Sequence, residues 1–408
     1  KDPCRVSFEA FLMAKLRTSL CHGIDHGPPD QLLPIRAASL RNVLRGCTQV
    51  WRCNDGDAAQ PTRRRLSKQA QPCGRIELFL SHRWAYGGSW KYLYLLFRFG
   101  FRFAMSGALA VVALCTLLAL ELPSAEEAFG WEAFRFSGSW CLVCGPAAFL
   151  LVLCLCPWLP KVLVPRTPSV FLDVVCIDQD DDALKARGIR SLPLFIEHSA
   201  VLVVLWCTQY FGSLWCVLEV AAFYHFHPTG SIDMIPLATE FLAPARIFLL
   251  LWLTGLLWHF SAGTGLCVLA GVISFVLGGR TLLRCAQEGR TLDRQLLTFD
   301  CRNAICREPA DREWILASIE AWYGSVEAFN AVVAGPIRAR VGQRPCGGLS
   351  YSSCLFAFFP MACMGLDYFA GLAAAGVSRS GLTCFVVVGL VLYLWILPRV
   401  VQRLAARC

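Results

Sequence analysis

Residues 170–223 read VFLDVVCIDQDDDALKARGIRSLPLFIEHSAVLVVLWCTQYFGSLWCVLEVAAF, and this stretch decides the fold. Val170-Phe171-Leu172-Asp173 is a short apolar run ending on a carboxylate, as in a buried parallel strand that delivers a polar residue at its C-terminal end. Asp180, Asp181 and Asp182 form an acidic loop that favours the N-terminus of the next helix through its dipole; metal binding is the rival use. Ala183–Ser199 reads as that helix, with Pro193 starting or kinking part of it. Ala200–Leu205 is a second buried strand. Ser213–Phe226 is a second helix, with Trp215, Leu218 and Ala222 on one face. Strand, helix, strand, helix predicts an α/β unit with a parallel sheet.

Working outward, Ile76–Leu80 is an earlier strand, Ile232–Leu237 a later one, and Leu296–Asp300 a last strand before a helix over Asp311–Tyr323. Between these elements lie long apolar runs. Of the 408 residues 56% are hydrophobic and only 16% charged, against about 25% charged in a soluble domain. Mean hydropathy is +0.51, and the balance is that of a membrane protein. A span needs about 20 apolar residues. Trp90–Arg102 reads as a helix leading into a span at Phe103–Leu122, and Trp140–Leu159 returns from it. A second pair falls at 243–259 and 264–280, one kinked helix being the rival; a third falls at 352–374 and 382–398. Parity supports hairpins, because a single crossing would strand the later α/β elements on the far side of the bilayer.

The chain therefore divides into an N-terminal helical and linker region (1–75), a first strand and helix (76–102), a transmembrane hairpin (103–160), the α/β core (161–240), a second hairpin (241–281), a last strand with helices (282–345) and a C-terminal hairpin (346–408). In the first region Arg5–Leu20 and Leu40–Trp51 read as helices, and Asn54–Gly74 as a linker. Span ends facing the α/β unit carry Lys91, Arg98, Arg102, Lys161, Arg166, Arg246, Arg280, Arg284, Arg338, Arg340, Arg399 and Arg403, whereas the hairpin tips carry Arg135 and Arg379. The acidic tip Glu121, Glu126, Glu127 and Glu132 adds no cation. The positive-inside bias predicts that the α/β unit and the C-terminus are cytosolic, where thiols stay reduced.

The net charge of +9 suits a membrane surface, and without a dense basic run carrying aromatics it does not point to nucleic acid. Nine of the 22 cysteines (115, 141, 144, 154, 156, 267, 354, 363 and 384) fall in the spans and serve there as small hydrophobes. Cys21-His22 with His26, and Cys47 with Cys53, fit no usual zinc spacing, so no metal is expected. Arg63-Arg64-Arg65-Leu66-Ser67 reads as a solvated basic linker or a basophilic kinase site. The chain opens on Lys1, so residues upstream of it are expected, and no signal peptide is visible in it. Asp367 is the main ionisable residue of the spans, with His259 near a turn. That scarcity counts against a pump.

Several segments resemble a TIR domain. Phe79-Leu80-Ser81-His82-Arg83 is similar to its opening strand and Phe171-Leu172-Asp173 to its second. Glu197-His198-Ser199, the Val201–Leu205 strand and Tyr210–Glu219 resemble the part carrying Trp-Cys-x-x-Glu, and Ile232–Leu237 the strand after it. The match comes in pieces, separated by the membrane hairpins. The resemblance implies a flavodoxin-like doubly wound parallel sheet, combined here with about six transmembrane helices in three hairpins.

In such a sheet the ligand crevice lies beyond the C-terminal strand ends. Those ends present Ser81, His82, Arg83 and Trp84, then Asp173 with Asp178, then Trp206 with Gln209. Many TIR domains cleave NAD at the nicotinamide–ribose bond, and Glu219 matches the position of their catalytic glutamate. A carboxylate near the ribose stabilises the oxocarbenium-like charge of that cleavage. By this reading Glu219 is catalytic, and Ser81, His82, Arg83, Trp84, Asp173 and Trp215 bind ligand: Trp84 or Trp215 stacks on a flat ring and Arg83 meets a phosphate. NAD is then a substrate, and no cofactor is implied. Each of these residues also has a structural reading: Glu219 as a helix-edge charge, Trp215 and Cys216 as core, Arg83 as a sheet-end cap. Besides a signalling NAD hydrolase, the sequence leaves open a non-catalytic module that self-associates at a lipid bilayer, and a pore or transporter subunit with a regulatory cytosolic domain.

Overall fold

The computed structural model describes residues 33–51, 65, 67–84, 87–121, 140–160, 162–163, 167–260, 264–342 and 350–407. The expected helix at Arg5–Leu20, Cys21, His22, His26, Cys53, Arg63, Arg64, Leu66, the acidic tip Glu126, Glu127 and Glu132 with Arg135, and Lys161 and Arg166 lie outside the described residues. The chain divides into two compact units: 1–86, 167–235 and 293–341 form one, and 87–166, 236–292 and 342–408 the other.

The first unit is built on a six-stranded sheet of order β2-β1-β4-β3-β5-β6: β1 Arg36–Ser39, β2 Gln71–Pro72, β3 Ile76–His82, β4 Ser169–Phe171, β5 Ser199–Trp206 and β6 Ser231–Pro236. β3 runs parallel to β4 (Phe79 opposite Phe171) and to β5 (Leu80 opposite Val203). These are the apolar runs read from the sequence, and they are buried as expected: Ile76, Phe79, Val170, Leu202 and Val204 are inaccessible. Phe79 stacks on Phe171 with centroids 4.6 Å apart, and Phe171 meets Phe195 of the Leu192–Glu197 helix at 4.7 Å. The Ala183–Ser199 helix is in fact two, Asp182–Arg190 and Leu192–Glu197, with Pro193 in the first turn of the second, where its missing N–H is harmless.

Two expectations are corrected. The sheet is mixed, not all-parallel. The N-terminal region read as helix and linker supplies β1, which pairs antiparallel with β4 (Ala38 opposite Val170), and β2, which pairs antiparallel with β1. The Ser39 and Thr167 hydroxyls, 3.0 Å apart, and Leu40 N–H on the Pro168 carbonyl at 2.9 Å fix that junction. Pro72 sits on the outermost strand, where its missing N–H leaves no ladder gap. The expected last strand at Leu296–Asp300 is absent: the helix from Thr264 runs unbroken to Leu297. Leu292 and Leu296 are buried and Arg294 is exposed, which is helical spacing.

The second unit consists mainly of six apolar helices: α1 Gly88–Glu121, α2 Trp140–Leu155, α3 Ala243–Phe260, α4 Thr264–Leu297 (whose last residues, from Asp293, belong to the first unit), α5 Tyr351–Ala374 and α6, which runs from Arg379–Val391 through a wide turn at Leu392–Ile396 into Leu397–Arg407. All six are long and apolar enough to cross a membrane, as in a multi-pass membrane protein. The expected lead-in helix and first span are one 34-residue helix, and α4 is also longer than expected, at 34 residues. Five phenylalanines knit the unit: Phe97, Phe149, Phe241, Phe248 and Phe356, with ring centroids 4.6–6.2 Å apart in the contacting pairs. Outward residues are equally apolar. Phe275 is 83% exposed and Leu117 61%, faces that only lipid or another apolar surface covers. Asp367, the one buried acid of the bundle among the described residues, accepts the backbone N–H groups of Cys141 (2.9 Å) and Leu142 (2.8 Å) at the start of α2. These are orphan donors of a helix N-terminus, where an anion is favoured.

Candidate functional site

The parallel strands end together. β3 finishes on Ser81 and His82, both buried, and Arg83 and Trp84 follow. β5 finishes on Trp206, and the chain then turns through Gln209 and Tyr210 into the Leu214–Phe226 helix. That turn is held by Leu214 N–H on the Ile305 carbonyl and Ile305 N–H on the Gly212 carbonyl. One and a half turns into the helix sits Glu219.

Ser81 is the junction of this group. Its Oγ donates to Glu219 Oε2 and lies 2.5 Å from the Tyr210 hydroxyl. Tyr210 is fully buried, and its hydroxyl also reaches the Cys216 carbonyl at 3.4 Å. Burial pushes the Glu219 carboxyl up to about 8, with the nearby Asp173 charge adding to the rise and the Ser81 hydrogen bond opposing it. Glu219 is only partly accessible and is mostly protonated at neutral pH. Burial also raises the Tyr210 phenol and the Cys216 thiol, both well above their usual ranges, so neither is an ionised nucleophile. Cys216 is spent on packing and a 3.6 Å contact to the His82 carbonyl.

The other residues named from the sequence divide into two groups. Asp173 joins the site: Trp84 Nε1 donates to its Oδ2 at 2.7 Å, while its Oδ1 takes Val174 N–H at 2.8 Å. His82 lies edge-on to Trp84 (4.5 Å) and to Trp51 (5.1 Å). Arg83 straps the end of β3 to the turn after β5, its Nη1 2.6 Å from the Gln209 carbonyl. Trp215 is committed elsewhere, with its ring packed on Trp314 of the Pro309–Tyr323 helix at 6.0 Å. The acidic loop has a structural use: Asp181 Oδ1 caps the Asp182–Arg190 helix by accepting Leu184 N–H at 2.9 Å, and Asp178 Oδ1 accepts Asp180 N–H. Among the described residues no group of three or more His, Cys, Asp or Glu could hold a metal ion. Tyr210 is the member that sequence reasoning missed. Its only signal was its place in the turn ahead of the Trp-Cys-x-x-Glu helix.

The arrangement offers a carboxyl of raised pKa, bridged by one hydroxyl to a phenol, beside a second carboxylate, at the ends of parallel strands. That equipment suits stabilisation of a developing positive charge or proton exchange near neutral pH. No protein-family model, curated protein or solved structure matches the chain.

Proposed function

We propose that the chain is a multi-pass membrane protein whose α/β unit is a TIR-like signalling module, facing the cytosol, that cleaves NAD at the nicotinamide–ribose bond through Glu219. The observation that carries the reading is the hydrogen bond from Ser81 to a Glu219 carboxyl raised to about 8. The strand order supports it. In order of appearance β3, β4, β5 and β6 lie second-first-third-fourth, the arrangement of the first four strands of flavodoxin-like sheets. The chain order reverses on either side of β3, and Ser81 meets Tyr210 between the ends of β3 and β5, where such sheets bind ligands.

The chemistry is consistent with that position. The nicotinamide ring of NAD is a cation, so a bound substrate favours the ionised form of Glu219 and lowers its pKa. The carboxylate then faces the ribose as positive charge develops on it, nicotinamide leaves with the bonding pair as a neutral base, and water adds to ribose C1′ and releases one proton. Ser81 holds the carboxylate, and Asp173 adds negative potential nearby.

Turnover of NAD by the full chain in nanodiscs tests this. We expect nicotinamide release from the wild type and its loss in Glu219→Gln and Glu219→Ala. An inactive but folded wild type, with and without enforced clustering, would favour the second reading, a non-catalytic module that assembles with its own copies. A specific observation supports that alternative: Arg83, Trp84 and Trp215 already have partners within the chain. A pore reading is weaker, because both Asp367 oxygens are spent on backbone N–H groups. Protease accessibility of the Trp215 region in sealed vesicles tests the cytosolic orientation, which rests on the arginine bias; protection in inside-out vesicles would contradict it.

A further inference from the structure

Six arginines of the membrane unit are collected at one level. Ala243 of α3, Cys285 of α4, Cys354 of α5 and Val401 of α6 form one buried apolar cluster, with Leu282, Phe358 and Leu397 packed against it. Phe97 of α1 joins the same level through Phe241 (5.5 Å) and Phe356 (5.0 Å). Around this plug stand Arg98 on α1, Arg246 on α3, Arg280 and Arg284 on α4, and Arg399 and Arg403 on α6, all exposed.

Two acids share the level, but they are engaged by hydroxyls. Glu288 accepts from Thr239 at 3.4 Å, and Ser353 donates to the Glu240 carbonyl at 3.0 Å with the Glu240 carboxylate 3.4 Å away. Among the described residues none of the six arginines pairs with a carboxylate. Arg399 instead lies over the Trp395 ring, 4.0 Å from its centroid, and tryptophan marks the membrane–water boundary. From the tip ends, Arg98 lies 23 residues from Glu121 and Arg399 20 residues from Arg379, about 30–35 Å along each helix. That is about the thickness of the hydrocarbon core, so the belt sits at headgroup depth.

We propose that this belt binds anionic phospholipid headgroups of the leaflet it faces. Positive charge at span ends sets topology during insertion in any case. What adds to that here is the folded result: six exposed guanidiniums at headgroup depth on four helices, none in an ion pair with a carboxylate among the described residues. A guanidinium matches a phosphate with two parallel hydrogen bonds, and a headgroup with net negative charge completes the pairing that the protein does not supply.

The test is tryptophan quenching by brominated lipids in the reconstituted full chain, since Trp395 sits beneath Arg399. Relative association is measured in phosphatidylcholine vesicles carrying either brominated phosphatidylserine or brominated phosphatidylcholine. We expect about fivefold preference for phosphatidylserine at low salt, collapsing towards unity at high salt and in the Arg280→Gln/Arg284→Gln/Arg399→Gln/Arg403→Gln variant. Arg190→Gln/Arg307→Gln, on exposed sites of the other unit, leaves the preference intact. Equal association of the two lipids with the wild type overturns the proposal, as does a preference that survives the quadruple substitution. If that variant fails to reconstitute, the salt series on the wild type decides: a preference indifferent to salt overturns the proposal.

Discussion

Asp367 and Glu219 are the informative carboxylates of the two units, and they are handled in opposite ways. In the helical unit Asp367 is 3% exposed, and both of its oxygens accept backbone N–H groups at the start of α2. The acid is fully used in closing a helix end. In the α/β unit Glu219 accepts a single hydroxyl, from Ser81, and its carboxyl is raised to about 8. The comparison shows how a structural acid differs from one available for chemistry: by what satisfies it, not by how deeply it lies. Each oxygen of Asp367 is held by a backbone N–H and committed to the fold, whereas Glu219 is held through one oxygen by a hydroxyl and keeps its other oxygen for a ligand.

The comparison can be broken first at Asp367. Substitution by Ala leaves two buried N–H groups without an acceptor, each worth about 1–3 kcal/mol. We expect about 3 kcal/mol of lost stability, read as a lower melting temperature in detergent and poor recovery from size exclusion. A variant as stable as the wild type would show that lipid or water serves that helix end equally well. Next is the packing that brings α2 onto its neighbours. A Cβ at Gly145 would lie 2.6 Å from Val112 Cγ2 and 2.8 Å from Cys363 Sγ. Gly145→Ala should therefore destabilise by about 1–3 kcal/mol, and unchanged melting would contradict the close approach.

The α/β side predicts pH effects. The folded pKa of Glu219 lies above its usual value of 4.5, so the fold favours the neutral form. Its contribution to stability is fully present below about 4.5 and is lost as pH rises through about 8. Glu219→Gln cannot ionise and escapes this loss. It should melt with the wild type at pH 4.5 and about 5 °C above it at pH 8.5; parallel melting curves at both pH values would remove the raised pKa. The smallest effect is at Ser81. Its hydrogen bond holds the Glu219 pKa down, so Ser81→Ala should move the pH dependence of melting upward. A downward move would mean that Ser81 does not donate to the carboxylate.

Much of this was legible in the sequence, for identifiable reasons. β3, β4, β5 and β6 announce themselves because their apolar runs are buried on both sides, and the six long helices because hydrocarbon demands long apolar segments. β1 was not legible: Arg-Ala-Ala-Ser carries no apolar run, and its partner β4 lies 132 residues away (Ala38 opposite Val170). The reach of α4 to Leu297 was obscured because Leu296-Leu297 reads equally as strand or helix until Leu292 joins it one turn earlier. The role of Asp367 was not legible because its partners lie 226 and 225 residues away. At the site, Glu219 and Ser81 were nameable because motifs mark them. Tyr210 was not, because its role depends on a turn that only the fold closes.

The most direct test of the central claim is the pH profile of NAD cleavage by the purified full chain, with Glu219→Gln beside it. We expect kcat/KM to rise with pH and level off above about 8 as free Glu219 ionises, and Glu219→Gln to be inactive across the range. Cleavage that persists in Glu219→Gln, or a profile flat through that range, would contradict the central claim.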